Sequence, residues 1–276
     1  FLWFLFIGNA LFLAINFNNM PEWNLGNIIR INSFSILIWT TVTFFSAIVS
    51  SYSSTYLRGF RFHSQFMLLS LAFTSSVMLL VISNHVALFL LSWLGMGFFM
   101  AQLIGIDKNW GEAREASKFA QKYFLTGTCF LATGVLLLAF YSQTFTLTEL
   151  ALAVKHLPYY ITIPAALFII ASALVQSAIY PFHRWLLSAM TSPTPASALM
   201  HAGFVNGSGI LLALFATLLY ASNMINVLFI IGGLTAIIAQ FTKLGGLVGL
   251  GLGALTALIL TMFYTKENPK YIPYDS

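Results

Sequence analysis

The segment from Ile161 to Tyr220 constrains this chain most, because prolines interrupt two long apolar runs within it. The first run leads into Tyr-Pro-Phe-His-Arg-Trp at 180–185, and a Pro-Thr-Pro turn at 193–195 precedes the second run. Pro181 lacks a backbone N–H and clashes with the preceding helical turn, so it predicts a break or kink. At membrane depth a broken helix is tolerated only where protein or a wet cavity satisfies its backbone, and in transporters such breaks lie at the ion or substrate site. The segment therefore predicts an ion pathway. The predicted breaking residues are Pro181, Pro193 and Pro195.

The composition indicates a membrane protein. Of 276 residues, 59% are hydrophobic and 7% are charged, whereas roughly a quarter are charged in an ordinary soluble domain. This excludes a soluble globule and predicts an all-α, polytopic transmembrane helix bundle with one discontinuous helix. The net charge of +5 comes from scattered basic residues that form no nucleic-acid-binding run. With Cys129 as the only cysteine and no histidine pair at ligand spacing, we predict no metal and no cofactor in this chain.

Apolar runs long enough to cross about 30 Å of hydrocarbon recur along the chain. We predict a transmembrane domain of about eight spans over residues 1–240, with the broken helix near 161–190, and a C-terminal transmembrane segment and tail over 241–276. No charged region precedes the first apolar run, so we predict no signal peptide and expect the chain to begin inside a longer protein.

The basic residues of the loops predict an orientation. If the loops alternate between the two membrane faces, one face carries four basic residues and the other carries two. The first set is Arg58, Arg61, Lys108 and Arg114, and the second is Arg30 and Lys155. Because cytoplasmic loops are enriched in lysine and arginine, the first face is predicted to be cytoplasmic.

Charged residues lead into the fifth apolar run. Glu115, Lys118 and Lys122 are spaced three and four residues apart and can share one helical stripe. Lys122 stands about one turn into the apolar run, where an unpaired ammonium is costly, so it is expected to face a cavity or a carboxylate such as Glu115. These three residues form a candidate proton relay. The alternative is that both lysines extend to the membrane interface.

Two histidines and an arginine surround the predicted break. His201 is expected at a depth where a polar side chain is costly to bury. Because an imidazole side chain ordinarily titrates near neutral pH, this residue type suits proton transfer. The alternative is a structural histidine. His183 would either line the cavity or cap freed carbonyls. Arg184 would either face the cavity or anchor to headgroups or a partner. A haem held between His183 and His201 is disfavoured, because there is no second histidine pair and the intervening loop consists of turns.

Neutral polar residues complete the candidate pathway. Gln176 would either orient water in the broken helix or bond the freed backbone. Asn206 and Ser208 could extend a polar file beyond His201, although helix packing around the neighbouring glycines is the preferred interpretation.

The segment VQSAIYPFHRWLLSAMTSPTPASALMHAG, at 175–203, closely resembles a known signature. It is similar to the broken helix of the antiporter-like membrane subunits of respiratory complex I and of multisubunit sodium/proton antiporters. These subunits carry a Lys-Ser-Ala-x-x-Pro-x-His-x-Trp-Leu pattern, then Pro-Thr-Pro and Ser-Ala-Leu-x-His-Ala. Weaker matches are YLRG at 56–59 and SNHVALFLLSWLG at 83–95, so the resemblance runs from about Ile31 to Gln240. It implies the complex I antiporter-like fold and a non-enzymatic subunit that translocates protons or sodium ions.

The departures from that pattern indicate which type of subunit within the family this chain resembles most. Gln176 stands where a proton-pumping subunit has its central lysine, and Leu94 follows Trp93 where such a subunit has a glutamate. Together with HAGFVNGSGILL and ASKFAQKYFL, these departures look most like the DabB type, the membrane subunits of two-component DAB systems that accumulate inorganic carbon.

The DabB resemblance implies a multi-pass subunit in the bacterial inner membrane. Its expected partner is a DabA-like, cytoplasmic, carbonic-anhydrase-like subunit that holds zinc and hydrates CO2 to bicarbonate. Ion flow through the membrane subunit would make that hydration effectively one-way. The alternative is a proton-translocating, antiporter-like subunit of complex I or of a sodium/proton antiporter.

The C-terminal stretch departs from the family. The family continues with a polar motif and a second, inverted set of helices, whereas TKLGGLVGLG follows Phe241 here. We expect either a discontinuity near Phe241–Thr242 or a truncated chain.

Overall fold

A bundle of antiparallel helices makes up nearly all of the computed structural model, which describes residues 2–16 and 22–241, with side chains as far as Thr235. The predicted segment at 242–276 lies outside the described residues. The helices are α1 (Leu2–Ile15), α2 (Ser33–Tyr56), α3 (His63–Ile82), α4 (Val86–Ile104), α5 (Gly111–Ser142), α6 (Leu147–Ala153), α7 (Tyr159–Gln176), α8 (Arg184–Ser188), α9 (Thr194–Leu199), α10 (Gly207–Leu214), α11 (Ala216–Ala221) and α12 (Ile225–Phe241). A π-helix, Met200–Phe204, lies between α9 and α10.

Six helical segments in the described part of the chain are long and apolar enough to cross a membrane. They are α2, α3, α4, α5, α7 and the interrupted span Thr194–Leu214. Two shorter apolar helices are Leu2–Ile15 and Ile225–Thr235. The predicted polytopic helix bundle is therefore confirmed. One short β-hairpin departs from the predicted all-α architecture, and in it β1 (Trp23–Leu25) is antiparallel to β2 (Ile29–Ile31).

Asn84, in the link between α3 and α4, joins three connections at the end of the bundle that carries the hairpin. Its N–H donates to Ile28 O at 2.8 Å, and its carbonyl oxygen accepts from the N–H of Leu147 at 2.6 Å. Its side-chain Oδ1 accepts from the N–H and the hydroxyl of Thr148, at 3.2 and 3.0 Å. Asn84 is 9% exposed. We call this end the hairpin end, and hydrogen bonds between its loops hold it together.

The opposite end, which we call the basic end, holds the C-terminus of α2 and the N-terminus of α9. The hydroxyl of Thr194 donates to the hydroxyl of Tyr56 at 3.3 Å, which places these two termini together. Because the helices alternate in direction, the chain brings four basic residues to this end: Arg58, Arg61, Lys108 and Arg114. Arg30 and Lys155 lie at the hairpin end.

Helix α5 is the longest, and it begins at Gly111, so it includes the charged residues that lead into the fifth apolar run. Its first turns are helical because Ala113, Ala116 and Ala120 pack into the core. Towards its other end α5 lies directly against α7. A Cβ atom at Gly134 would come within 2.9 Å of the Ala165 carbonyl oxygen, so only glycine permits this close approach.

Candidate ion pathway at the broken helix

Helix α7 ends at Gln176, before Pro181 is reached. Ala178 adopts a left-handed conformation with φ of 53°. The N–H of Ile179 donates to Leu174 O at 3.1 Å, and the N–H of Ala178 donates to Val175 O at 3.3 Å. This pair of bonds is the Schellman C-cap, which satisfies carbonyls that a helix end otherwise leaves free. The break is therefore a capped terminus, and Pro181 follows it without causing it.

Trp185 holds the next helix, α8, against the end of α7. Its ring is fully buried, and its Nε1 donates to the Val175 carbonyl oxygen at 2.9 Å. Phe124 of α5 and Phe204 of the π-helix both pack against this ring, with centroid distances of 4.7 and 5.7 Å. A tryptophan buried with a satisfied N–H fixes both position and orientation. The half-helices on either side of the break are thus held in place by one side chain.

The second run is interrupted as well. Pro193 is the N-cap of α9, and Pro195 lies in its first turn. Because the first turn of a helix has free N–H groups anyway, these prolines start α9 and do not break it. The actual interruption is the π-helix, in which the N–H of Val205 donates to Met200 O at 3.0 Å. Such π-turns occur frequently at functional sites.

Three polar side chains connect the end of α7 to the turn after the π-helix. Gln176 Nε2 donates to Phe204 O at 3.1 Å, and the Ser177 hydroxyl donates to Val205 O at 3.2 Å. The hydroxyl of Ser208 is also 3.2 Å from Val205 O, and it is hydrogen-bonded to the hydroxyl of Ser177. We call Gln176, Ser177 and Ser208 the junction cluster. All three are buried.

The junction cluster lies close to the middle of the membrane thickness. A Cβ at Gly207 would lie 3.6 Å from Met96 Cε and 3.9 Å from Gln176 Nε2. Met96 stands near the centre of α4, a helix of 19 residues that is about 28 Å long, close to the thickness of the hydrocarbon layer. Two interrupted helices therefore meet at mid-membrane through neutral polar groups.

Of the predicted pathway residues, Gln176 is the one that lies within the junction cluster. It donates to the backbone of the π-helix, and its predicted roles in the ion pathway stay predictions. His183 is partly buried and stacks on Tyr180, with ring centroids 5.7 Å apart. Its Nδ1 is buried and has no hydrogen-bond partner among the described residues. Arg184, at the first position of α8, is exposed.

His201 does not occupy the buried position that we expected. It lies in the π-helix with an exposed side chain, because the neighbouring residues Met200 and Phe204 turn into the core. The side chain of Asn206 folds back onto the same turn and donates to His201 O at 3.1 Å and Ala202 O at 3.3 Å. The predicted role of His201 in proton transfer stays a prediction.

Glu115, Lys118 and Lys122 all lie exposed on the outer face of α5. The opposite face of this helix packs inward, so the shared stripe predicted from their spacing points away from the junction cluster. Lys122 forms no ion pair with Glu115, and its side chain is exposed instead of pointing into the bundle. The only ion pair among the described residues joins Arg30 to Glu22 at 3.2 Å. The relay stays a prediction, and the exposed placement is compatible with lysines that extend to the interface.

Sequence reasoning missed the two serines of the junction cluster. The sequence alone favours a packing role for Ser208 and does not single out Ser177. One signal was available, because Ser208 stands between Gly207 and Gly209, where the backbone of a neighbour can approach a hydroxyl closely. Within the described ranges, no group of three or more His, Cys, Asp or Glu side chains could hold a metal ion.

A protein-family model and two curated relatives match the part of the chain that contains the broken helix. The family model described as NADH:quinone oxidoreductase/Mrp antiporter, TM, matches residues 83–248. A "probable inorganic carbon transporter subunit DabB" of Hydrogenovibrio crunogenus is 30% identical over 250 residues, which cover 87% of this chain and 46% of that protein. The NADH-quinone oxidoreductase subunit L of Escherichia coli is 28% identical over 235 residues, covering 82% of this chain and 38% of that protein.

A solved structure supports the fold independently. A chain in the Mrp complex from Dietzia has a TM-score of 0.79 and 22% sequence identity, covering 94% of this chain and 31% of that chain. The predicted antiporter-like fold is confirmed, and so is the resemblance to DabB proteins. The chain spans less than half the length of the relatives named here.

Proposed function

From the premise that this chain belongs to the NADH:quinone oxidoreductase/Mrp antiporter membrane family, we propose that it is a proton-conducting subunit of a complex that accumulates inorganic carbon. In this proposal it performs no catalysis. Proton flow through it drives one-way hydration of CO2 to bicarbonate in a DabA-like, carbonic-anhydrase-like partner that holds the zinc.

The observation that carries this proposal is the meeting of two interrupted helices at mid-membrane. A capped end of α7 and a π-helix face each other there, and Gln176, Ser177 and Ser208 bridge them. Interrupted helices are a recurring way to place backbone and side-chain oxygens beside a transported ion.

Two substitutions favour the inorganic-carbon branch of the family. Gln176 and Leu94 replace the lysine and the glutamate that the resemblance places in proton-pumping subunits. Both charged residues of the proton-pumping pattern are therefore absent from these two positions, of which 176 is buried and 94 is 39% exposed. The 30% identity to a DabB protein supports the same branch.

The second candidate is an ordinary antiporter-like subunit of complex I or of a sodium/proton antiporter. The 28% identity to the subunit L of Escherichia coli and the fold of the Dietzia Mrp chain favour it. The two candidates differ in the partner that they require.

A growth experiment separates them. The gene for this chain and its neighbouring partner gene are expressed in a bacterium that lacks carbonic anhydrase and cannot grow in ordinary air. Rescue that requires both genes and disappears with an uncoupler supports the proposal. Failure of rescue, with both proteins present in the membrane, would leave the ordinary antiporter subunit as the better candidate.

Variants of the predicted pathway residues then test their roles. His201→Ala and Lys122→Ala are expected to weaken the rescue, with His183→Ala as a further variant. Cys129→Ala is a matched control for Lys122→Ala, since Cys129 is exposed on the same helix and carries no charge. Rescue at the wild-type level by Lys122→Ala would remove Lys122 from the proposed pathway.

We further propose that the subunit lies in the bacterial inner membrane with the basic end in the cytoplasm. The four basic residues at that end support this orientation, because cytoplasmic loops are enriched in lysine and arginine. The proposed partner is cytoplasmic, so it would dock at this same end.

A further inference from the structure

We propose that the hydroxyl groups of Ser177 and Ser208 pass the proton from one interrupted helix to the other. This inference rests on the proposed function, because it requires a proton-conducting subunit. Ser177 is the C-cap of α7, and Ser208 lies in the first turn of α10. Their side chains are hydrogen-bonded to each other, and the residues are only 4% and 6% exposed.

The geometry gives this pair two equivalent arrangements. Three oxygen atoms lie within hydrogen-bonding distance of one another: Ser177 Oγ, Ser208 Oγ and the Val205 carbonyl oxygen. The two hydroxyls supply only two hydrogens for these three contacts. Either serine can therefore donate to the other while the second serine donates to Val205 O.

Reversing the bond between the serines loses no protein hydrogen bond. In both arrangements the Val205 carbonyl accepts one hydrogen and the other hydrogen lies between the hydroxyls. A buried polar group that loses its partner normally costs about 1–3 kcal/mol, and this reversal avoids that cost. A chain that conducts protons repeatedly needs such a reversal, because each transfer leaves the hydrogen bond pointing the opposite way.

The transfer step conserves atoms and charge. A proton delivered by a water molecule binds a lone pair of the first hydroxyl, which passes its own hydrogen along the existing bond to the second. The second hydroxyl turns its original hydrogen away from the Val205 carbonyl oxygen and releases it to a water molecule on the far side. Each oxygen again holds one hydrogen and is neutral, and rotation of the two hydroxyls restores the starting arrangement.

Unpaired polar atoms lie along the chain on both sides of the junction cluster. Ser172, one turn before Gln176 on α7, is fully buried, and its hydroxyl has no partner among the described residues. Beyond the break, the buried Nδ1 of His183 likewise has none among them. Buried polar atoms of this kind commonly bond ordered water, which the proposed step requires as donor and acceptor.

A second pair of buried hydroxyls provides a contrast. Ser46 of α2 and Thr74 of α3 are hydrogen-bonded at 2.8 Å, and Thr74 also donates to Ser70 O at 2.8 Å. In the described part of the chain Ser46 has no carbonyl acceptor, so reversing this bond would leave its hydrogen unpaired. The pair therefore has one preferred direction.

The test uses the full chain, reconstituted into lipid vesicles, with any partner that it needs for stability. A potassium diffusion potential set by valinomycin drives protons, and a pH-sensitive dye inside the vesicles measures their flux. Ser177→Ala and Ser208→Ala are each expected to lower the flux by roughly 100-fold, the scale of a lost proton-transfer group. The double variant should lose little more than either single variant, because the two hydroxyls act as one unit.

Other variants separate proton transfer from packing. Ser208→Thr keeps the hydroxyl and should retain most of the flux, whereas Ser208→Cys supplies a weaker donor of similar shape and should be intermediate. Ser46→Ala removes a hydroxyl of the contrasting pair and should conduct like the wild type. Thermal unfolding of each purified variant checks its fold. If Ser208→Ala does not fold, the Ser208→Cys flux still decides the outcome.

The outcomes distinguish this inference from the proposed function. If the wild type conducts protons and Ser208→Ala or Ser208→Cys conducts equally, the hydroxyl transfer is wrong and the proposed function stands. Equal loss in Ser208→Ala and Ser208→Thr, with folded protein, would show that the serine acts only through packing. A wild type that carries no proton flux overturns the proposed function, and the hydroxyl transfer with it.

Discussion

Gln176 donates a hydrogen bond from Nε2 to the Phe204 carbonyl oxygen, 3.1 Å away, and so ties the end of α7 to the π-helix. The resemblance places an ammonium at this position in proton-pumping subunits. In this chain the same position holds a neutral donor, so no counter-charge is required in the membrane interior. Its bond also keeps the Val205 carbonyl beside Ser177 and Ser208, which makes Gln176 a positioning residue in the proposed transfer.

Gln176→Lys is expected to destabilise the protein. A lysine near the middle of the bilayer costs about 2.5–3.5 kcal/mol when it has no partner. Leu94→Glu should not rescue it, because Leu94 is 39% exposed, whereas Met96, which is 1% exposed, turns towards Gln176. Thermal unfolding in detergent measures both variants. If Leu94→Glu restored the stability of Gln176→Lys, α4 would present a different face to residue 176. Gln176→Met is the uncharged control.

Gln143→Gly is expected to stabilise the protein. Gln143 is the exposed C-cap of α5 and has a φ of 55°, a left-handed conformation that strains residues with a Cβ atom. Relief of that strain, less the entropy that glycine loses on folding, should raise the free energy of unfolding by about 0.5–1 kcal/mol. Gln143→Val should lower it, since branching at Cβ is least tolerated there. Equal stability of the two variants would contradict this explanation.

Gly134→Ala should loosen the contact between α5 and α7. The added Cβ would lie 2.9 Å from the backbone oxygen of Ala165, so the helices must move apart, at a cost of about 1–3 kcal/mol. Gly8→Ala is the matched control in α1, where a Cβ would meet nothing within 4 Å. It should stabilise its helix by up to about 1 kcal/mol. Unfolding of both variants in the same detergent provides the comparison.

Asn84→Ala is expected to weaken the hairpin end. It removes the acceptor of two bonds from Thr148 and leaves a backbone N–H without its partner, which costs about 1–3 kcal/mol. Thr148→Val removes only the hydroxyl bond, so its effect should be about 0.5–1.5 kcal/mol. A larger loss in Thr148→Val than in Asn84→Ala would show that the amide is not the group that joins these loops.

The proposed orientation can be tested by labelling. In a Cys129→Ala background, single cysteines replace Arg61 at the basic end and Glu149 at the hairpin end, both of which are exposed. In intact cells a membrane-impermeant maleimide should label Glu149→Cys, provided that it reaches the periplasm. Arg61→Cys should be labelled only after the cells are opened. The reverse pattern would place the basic end outside the cytoplasm.

The helical architecture could be predicted from hydropathy, because backbone groups in hydrocarbon must be satisfied within the segment. The residues at which the helices end were harder to predict from the sequence. Pro181 predicted a break in the correct region, but α7 ends earlier, through an alanine in a left-handed conformation. A glycine at 178 would have signalled this C-cap, whereas alanine gives no such signal. The π-helix had no sequence signal either, since its residues suit an ordinary helix.

The candidate site was predicted in part. Gln176 was identified because it replaces a lysine in a recognisable motif. The exposed positions of His201 and Lys122 were not foreseen, because depth along a helix can be counted from the sequence but the direction of a side chain depends on which neighbours pack against it. Ser177 and Ser208 lie far apart in the chain and meet only after both helices are interrupted.

The neutrality of the junction cluster has an electrical consequence. A potential of 100 mV does about 2.3 kcal/mol of work on each elementary charge that crosses the membrane. Gln176, Ser177 and Ser208 are neutral side chains, so in the proposed pathway this field acts on the transferred proton alone. If the proposed pathway is correct, the resting voltage acts on the proton that crosses the junction cluster and exerts no force on a fixed charge of these three side chains.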